Sequence, residues 1–317
     1  GPWQVAVHPR GPDGTGVRNA YGYVAVEAST PGGAFVADGM NEAGLSVSFH
    51  TLRMAKYQEP DPTKETVLFI ELVPWLLGRF DAVEAVRRGL ANVSVVTGDH
   101  GQGDFAHWAV ADAQGQSVVV EYVEGKLQVH QNDVRVMTND PEYQWHLKNL
   151  NMYVGLTPNT PDANGPIAVE TEVGTVPQIW SQGFSLLGLP GDFSPASRFV
   201  RMFYLRRYAE VHDPVTSVDS AMVLATGLLN NVFIPKGAAA PMTPARTAAD
   251  YDFTNWGLIK IPAQRRLLFR GYRNMVWKEV DLKALTWDTA KSMPVSDGTL
   301  GIEQVTDKFH GPGRVLV

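Results

Sequence analysis

Two polar side chains sit where their neighbours draw attention to them. Asn139 ends a stretch at residues 134–138 that reads as a strand, just ahead of Asp140-Pro141. An amide there is either an ordinary turn residue or an N–H donor able to meet an oxyanion. Arg198 lies one turn into a segment opened by Ser194-Pro195, among Phe199, Val200 and Met202. It is either a surface cation in a salt bridge or a half-buried guanidinium that needs a polar site. His50, His100 and His107 fall in one third of the chain, near Asp99 and Asp104. They lack the His-x-x-x-His spacing and compact ligand set of a metal site, so hydrated or hydrogen-bonded histidines are favoured and no metal is expected. Gly98 to Gly103 is glycine-rich like a phosphate loop. No Lys-Ser/Thr pair follows it, and the next stretch reads as strand, so no helix N-terminus gathers N–H donors. Serine, histidine and aspartate are plentiful, but no Gly-x-Ser-x-Gly elbow singles out a nucleophile. The sequence holds 317 residues and no cysteine, which removes disulfides, thiolate ligands and a thiol nucleophile from the chain as it stands.

Composition supports a folded scaffold for such groups: 44% of residues are hydrophobic, 19% charged and 10% aromatic. A net charge of -6 speaks against nucleic acid or an anionic membrane surface as main partner. No apolar run is long enough to span a bilayer. The chain opens Gly1-Pro2-Trp3, without an initiator Met or a signal peptide. That start suits a processed chain or a fragment, and leaves cytoplasm and periplasm both open.

The patterning then supplies the elements. A strand is expected at 3–8, where Trp-Gln-Val-Ala-Val-His alternates, another at 21–27, and a hairpin at 34–51. In the hairpin, Asp38-Gly39-Met40-Asn41-Glu42-Ala43-Gly44-Leu45 reads as a tight turn between apolar arms. Asp-Gly is the turn signal, and Asn41 and Gly44 tolerate positive φ. A helix is expected to start at Asp61-Pro62-Thr63, run through Trp75 and Leu76, and kink or break at Pro74. A short helix at 82–90 precedes strands at 93–97, 107–112, 117–123, 126–130 and 134–138, a meander with 117–123 central. Residues 140–153 look mixed helical, and 157–188 reads as a long excursion loop of the kind that serves function or meets another subunit. Ser194-Pro195 opens a helix to about 210, Ser217 caps one at 218–229, and strands return at 251–260, 265–269 and 276–281. This order fits an α+β sandwich with helices over both outer faces, and with no linker or repeat, residues 1–317 read as one domain.

Three stretches taken together resemble the choloylglycine hydrolase / penicillin V acylase family. They are Asp38-Gly39-Met40-Asn41-Glu42-x-Gly44-Leu45, Met137-Thr138-Asn139-Asp140-Pro141-Glu142-Tyr143-Gln144-Trp145-His146 with Asn149-Leu150, and Gly188-Leu189-Pro190-Gly191-Asp192-Phe193-Ser194-Pro195-Ala196-Ser197-Arg198-Phe199-Val200-Arg201. Residues 231–237 and 251–256 resemble later segments of the same family. The resemblance implies an N-terminal-nucleophile hydrolase with a four-layer αββα sandwich, no cofactor, and hydrolysis of linear amides. Penicillin V, conjugated bile salts and, in some members, acyl-homoserine lactones are the substrates it suggests. It implies Asn139 as the side-chain oxyanion donor, the backbone N–H of Thr51 or its neighbour His50 as the second, and Arg198 as the active-site arginine. Asp38, Asn41 and Gly44 become the scaffold that delivers Thr51. Phe105 and the loop from Gly98 resemble a pocket lining, and residues 157–188 resemble an assembly loop, which suggests a homotetramer.

The resemblance also implies an N-terminal Cys that uses its own α-amino group as base, followed by an Arg and an Asp. These would lie upstream of Trp3, and the first Ser or Thr present, Thr15, lies inside a loop. The main expectation is therefore a linear-amide hydrolase whose nucleophile is absent from these residues. An inactive homologue that keeps the acyl pocket, or an acyltransferase at the same site, are its rivals.

Overall fold

The computed structural model describes residues 2–12, 18–30, 33–98, 105–159, 167–178, 182–240 and 251–305. The chain begins with β1 (Trp3–His8), a short ladder of β2 (Gly11–Pro12) with β3 (Arg18–Asn19), then β4 (Tyr23–Thr30), β5 (Gly33–Asn41) and β6 (Ser46–Thr51). Next come β7 (Glu65–Leu68), α1 (Leu72–Arg79), α2 (Val83–Ala91) and β8 (Val93–Val96). A meander follows, formed by β9 (Ala106–Ala111), β10 (Ser117–Val123) and β11 (Lys126–Gln131). The remainder is α3 (Tyr143–Asn149), β12 (Ile167–Thr171), β13 (Gly174–Gln178), α4 (Pro195–His212), α5 (Val218–Asn231), β14 (Trp256–Ile261), β15 (Arg266–Gly271), β16 (Lys278–Asp281) and β17 (Lys291–Pro294).

Eight strands form one antiparallel sheet in the order β11-β10-β9-β6-β5-β4-β1-β17. Period-two alternation sends its side chains to two different cores. On one face Tyr23, Ala25, Val47, Val118, Val120 and Tyr122 pack against Leu72, Leu76 and Leu77 of α1 and Val83, Val86 and Leu90 of α2. On the other face Val24, Val26 and Met40 meet Leu267 and Phe269 of a second sheet, in the order β14-β15-β16. Beyond that sheet lies α5, where Thr226 accepts from Trp277 Nε1 at 3.0 Å and Asn230 from Arg270 Nη2 at 2.7 Å. The layers are thus helices, large sheet, small sheet, helix: the four-layer αββα sandwich that the sequence leads one to expect. Toward the β10 end, Val119 packs with Tyr143 of α3 and Phe199 of α4.

Several local expectations are corrected. Asp38-Gly39 is not the hairpin turn, because β5 continues to Asn41 and the chain reverses at Glu42–Leu45, with Gly44 at φ 85°. Asn41 makes that turn: its Oδ1 accepts from Ala43 N at 3.1 Å and Leu45 N at 2.9 Å. Gly39 serves close packing instead, since a Cβ there would lie 2.7 Å from the Val24 carbonyl oxygen. Asp61–Thr63 starts no helix; it forms an Asx turn into β7, which pairs in parallel with β8. The helix begins at Leu72, so Pro74 lies in its first turn, where the missing N–H has no partner to lose. Residues 134–138 lie in no sheet, and Arg135 has φ 51°. The 157–188 excursion contains the β12–β13 hairpin, and β17 is an edge strand that the sequence pattern did not signal.

Candidate active site

Strand β6 places the central backbone. Phe49 points to the helix-covered face, with its ring centroid 6.2 Å from that of Trp108. Alternation turns Ser48 and His50 toward the small sheet. Leu52 N–H donates to the Phe105 carbonyl at 2.7 Å, on the β9 side. The peptide groups of Thr51 therefore face away from β9. The β5–β6 register has already ended at the Asp38 and Ser48 pair, so no β5 partner meets them. In the opening, the Thr51 carbonyl accepts from Asn139 Nδ2 at 3.0 Å.

Asn139 is held at main chain and side chain. His107 Nε2 lies 2.8 Å from the Thr138 carbonyl oxygen, and His146 Nε2 lies 2.9 Å from the Asn139 carbonyl oxygen. These contacts replace ladder bonds that residues 134–138 lack. The Asn139 Oδ1 accepts from Arg198 Nη2 at 2.8 Å. A guanidinium only donates, so Oδ1 must face Arg198 and Nδ2 must face Thr51. The second Nδ2–H meets no acceptor among the described residues.

Arg198 is placed by the start of α4. Ser194 caps the helix, accepting from Ser197 N at 3.4 Å, and Pro195 takes the first helical position. Arg198 Nε donates to the Phe193 carbonyl at 3.0 Å, so it is half-buried with polar partners and no carboxylate in contact among the described residues. Burial pushes its guanidinium down, Arg201 adds to that, and Asp252 opposes it. Asp192 accepts from Ser194 N at 2.8 Å, and the hydroxyl bonds from Ser194 and Ser197 pull its carboxyl down to about 2.

His50 stands beside this group, its ring edge-on to His107 with centroids 6.3 Å apart. Burial, and then the positive neighbours His107, Lys260 and Arg198, push its imidazole down to about 3. His50 is therefore neutral at physiological pH and can offer one donor and one acceptor. Lys260 reaches across from β14 to bond Asp38 and to donate to Ser48 Oγ at 2.7 Å. Burial pushes the Asp38 carboxyl up even with Lys260 in contact.

The structure thus joins Thr51, Asn139 and Arg198 in one hydrogen-bonded chain, with His50 next to it. Phe105 lies elsewhere: its ring packs against Tyr57 and Phe69, with centroids 5.6 and 5.7 Å away, in the core under α1. Only its carbonyl helps to place Thr51, through Leu52. His100, Asp99 and Asp104 lie outside the described residues, as does most of the loop from Gly98. Among the described residues no group of three or more histidine, aspartate or glutamate side chains is arranged to hold a metal ion. Sequence reasoning missed Lys260, His107, Glu121 and His146. Only Glu121 carried a signal: it is a charge inside the otherwise apolar run Ser-Val-Val-Val-Glu-Tyr-Val, and an acid there needs a buried partner.

Known proteins share this sequence and fold. Residues 9–294 match the family model for linear amide C–N hydrolases, choloylglycine hydrolase family. The chain is 36% identical over 208 residues to the bile salt hydrolase/transferase of Clostridium perfringens, across 64% of this chain and 60% of that protein. It is 26% identical over 288 residues to the penicillin V acylase of Pectobacterium atrosepticum, across 84% of this chain and 68% of that one. The chain spans about three fifths of the length of the bile salt hydrolase relatives it matches. A crystal structure of a conjugated bile acid hydrolase variant from Clostridium perfringens superposes with a TM-score of 0.80 at 26% identity, covering 96% of this chain and 92% of that one. With the layers, the joined motifs and these matches in agreement, the chain belongs to the choloylglycine hydrolase family, the linear amide C–N hydrolases, and has their N-terminal-nucleophile fold.

Proposed function

We propose that this chain forms the oxyanion-binding body of a hydrolase of linear amides, with penicillin V, conjugated bile salts or acyl-homoserine lactones as substrate class. The observation that carries the reading is the Arg198–Asn139–Thr51 chain of hydrogen bonds. Arg198 holds the Asn139 amide in one orientation, which leaves a single Nδ2–H to donate. The Thr51 N–H faces the same opening. Two converging donors suit the oxyanion that forms when a nucleophile adds to an amide carbonyl. The nucleophile is an N-terminal Cys with its own α-amino group as base, and these 317 residues contain no Cys. In this reading the thiolate adds to the carbonyl, the protonated amine gives its proton to the leaving nitrogen, and water releases the acid. His50, neutral beside Thr51, lines the approach. Assay of the full-length gene product on penicillin V, a glycine-conjugated bile salt and an acyl-homoserine lactone tests this, with turnover of at least one expected. Failure on all three would sink it.

The same reading takes residues 1–317 as one domain, because the cores on both faces share the large sheet. It takes the 157–188 excursion as an assembly element of a homotetramer. The support is exposed apolar surface there and nearby: Val173 is 94% exposed, Leu187 80% and Met152 81%. Light scattering should give four times the chain mass, and a monomer would overturn the assembly. No helix among the described residues is long and apolar enough to cross a membrane.

A further inference from the structure

Glu121 is wholly buried, with a backbone N–H and two histidine rings around its carboxyl. Tyr143 N–H reaches its Oε1 at 2.9 Å and its Oε2 at 3.1 Å. His107 Nδ1 lies 2.7 Å from Oε1. His130 Nδ1 accepts from the Gln144 amide at 3.1 Å, and its Nε2 lies 3.6 Å from Oε2, near the carboxyl but without a hydrogen bond to it. With one backbone N–H shared by both oxygens, the group is placed as an ionised carboxylate. Burial alone would push that carboxyl up, but the contact with His107 and the Tyr143 amide pull it down to about 2.

His107, itself 1% exposed at the side chain, contacts an acceptor at each end. Nδ1 meets the Glu121 carboxylate and Nε2 meets the Thr138 carbonyl at 2.8 Å. A neutral imidazole has one N–H and would leave one of these contacts as acceptor against acceptor. His146 provides the contrast. Its Nε2 meets the Asn139 carbonyl, its Nδ1 has no partner among the described residues, and one proton satisfies it.

We infer that His107 is a buried imidazolium paired with Glu121, and that it is a positioning residue for Asn139, because its second N–H pins the Thr138 carbonyl one residue before that amide. The positioning half rests on Asn139 holding the oxyanion; the protonation half does not. The titratable groups facing the pair are His50 on β6, His130 on β11, and Tyr143 and His146 on α3.

The test is two-bond ¹H–¹⁵N correlation of histidine-labelled protein at about pH 7, where an ordinary histidine is mostly neutral. His107 should show two protonated nitrogens, and Glu121→Gln should leave it singly protonated, on Nε2. A singly protonated His107 in the unaltered protein at neutral pH would overturn the ion pair. For positioning, His107→Phe should lower kcat about ten-fold or more with KM within about three-fold. It should also move the Asn139 side-chain amide resonances. An unchanged kcat in folded His107→Phe protein overturns the positioning role. If the unaltered protein turns over no amide, the hydrolase reading fails, while the nitrogen spectra still decide the ion pair and unmoved Asn139 resonances still reject positioning.

Discussion

Arg198 can only donate, and Asn139 can donate or accept, so their contact has one consistent reading: Oδ1 toward the guanidinium and N–H toward Thr51. Asn139→Ala removes the donor while Thr51, Arg198 and the two histidine contacts to backbone carbonyls remain. Its kcat on the best of the amide substrates should fall by ~10²–10³, with circular dichroism and melting nearly unchanged. An unaltered kcat would take Asn139 out of the oxyanion role. His50 gives a prediction about pH. Its folded value, about 3, lies below the ordinary value of about 6.5. Between those values the unfolded chain holds the extra proton, so stability rises with pH across the window and is lost as pH falls. His146, pushed down mainly by burial, adds with the same sign. The melting temperature should therefore drop from about pH 7 to about pH 4.5, before ordinary carboxylates titrate, and His50→Asn should flatten the slope. Parallel slopes for the two proteins would refute the assignment. Asn139 and Arg198 were singled out in sequence by the family resemblance, since pattern alone left Asn139 an ordinary turn residue and Arg198 open between surface and site. The pairing of His107 with Glu121 was not legible, because it depends on the register of β9 with β10, which sets Trp108 opposite Val120 and so brings His107 alongside Glu121.

At the scale of elements, the β5–β6 turn shows how a motif can be recognised and its geometry misread. Asp38-Gly39 has turn chemistry, but Asp38, with Gly39 and Met40, is paired in the strand, and the reversal belongs to Asn41. Asn41 is fully buried and uses both ends of its amide. Oδ1 holds the turn, while Nδ2 donates to the carbonyls of Leu77 at 2.8 Å and Phe80 at 2.6 Å, at the end of α1. The turn and the helix are therefore fastened by one side chain. This link was unreadable locally, since its partners lie 36 and 39 residues away. Asn41→Ala would strand buried N–H and carbonyl groups at ~1–3 kcal/mol for each truly unsatisfied one, and about 3 kcal/mol in total is expected. Urea unfolding should show a lower midpoint at unchanged slope. A loss below about 0.5 kcal/mol, the level of an ordinary surface change, would mean that water replaces the amide. The same locality explains the misplaced helix at Asp61: closely spaced apolar residues allow strand or helix, and the parallel pairing of β7 with β8 decides.

Across the whole molecule, the two sheets meet through an apolar core, and Lys260 with Asp38 and Ser48 is a polar tie through it. The alternating strands made two covered faces legible from the sequence. They could not say which residue of β14 meets which residue of β5, because that depends on how the sheets are stacked. The Lys260 and Asp38 side chains are 13% and 19% exposed. Burial raises the Asp38 carboxyl despite the contact, so desolvation outweighs what the ammonium returns. A pair of that kind fixes the relative position of the sheets more than it stabilises them. Removing one partner and removing both should then have very different effects. Lys260→Met leaves a buried carboxylate without its cation and should cost about 3–5 kcal/mol, whereas Asp38→Leu with Lys260→Met should lie within about 1 kcal/mol of the unaltered protein. A double-mutant cycle by denaturant unfolding measures the coupling directly. Additive losses in the cycle would show that the sheets are held by the apolar core alone. A near-neutral double variant with altered turnover would show that the tie serves the site, where Lys260 also adds to the positive charge that keeps His50 neutral beside Thr51.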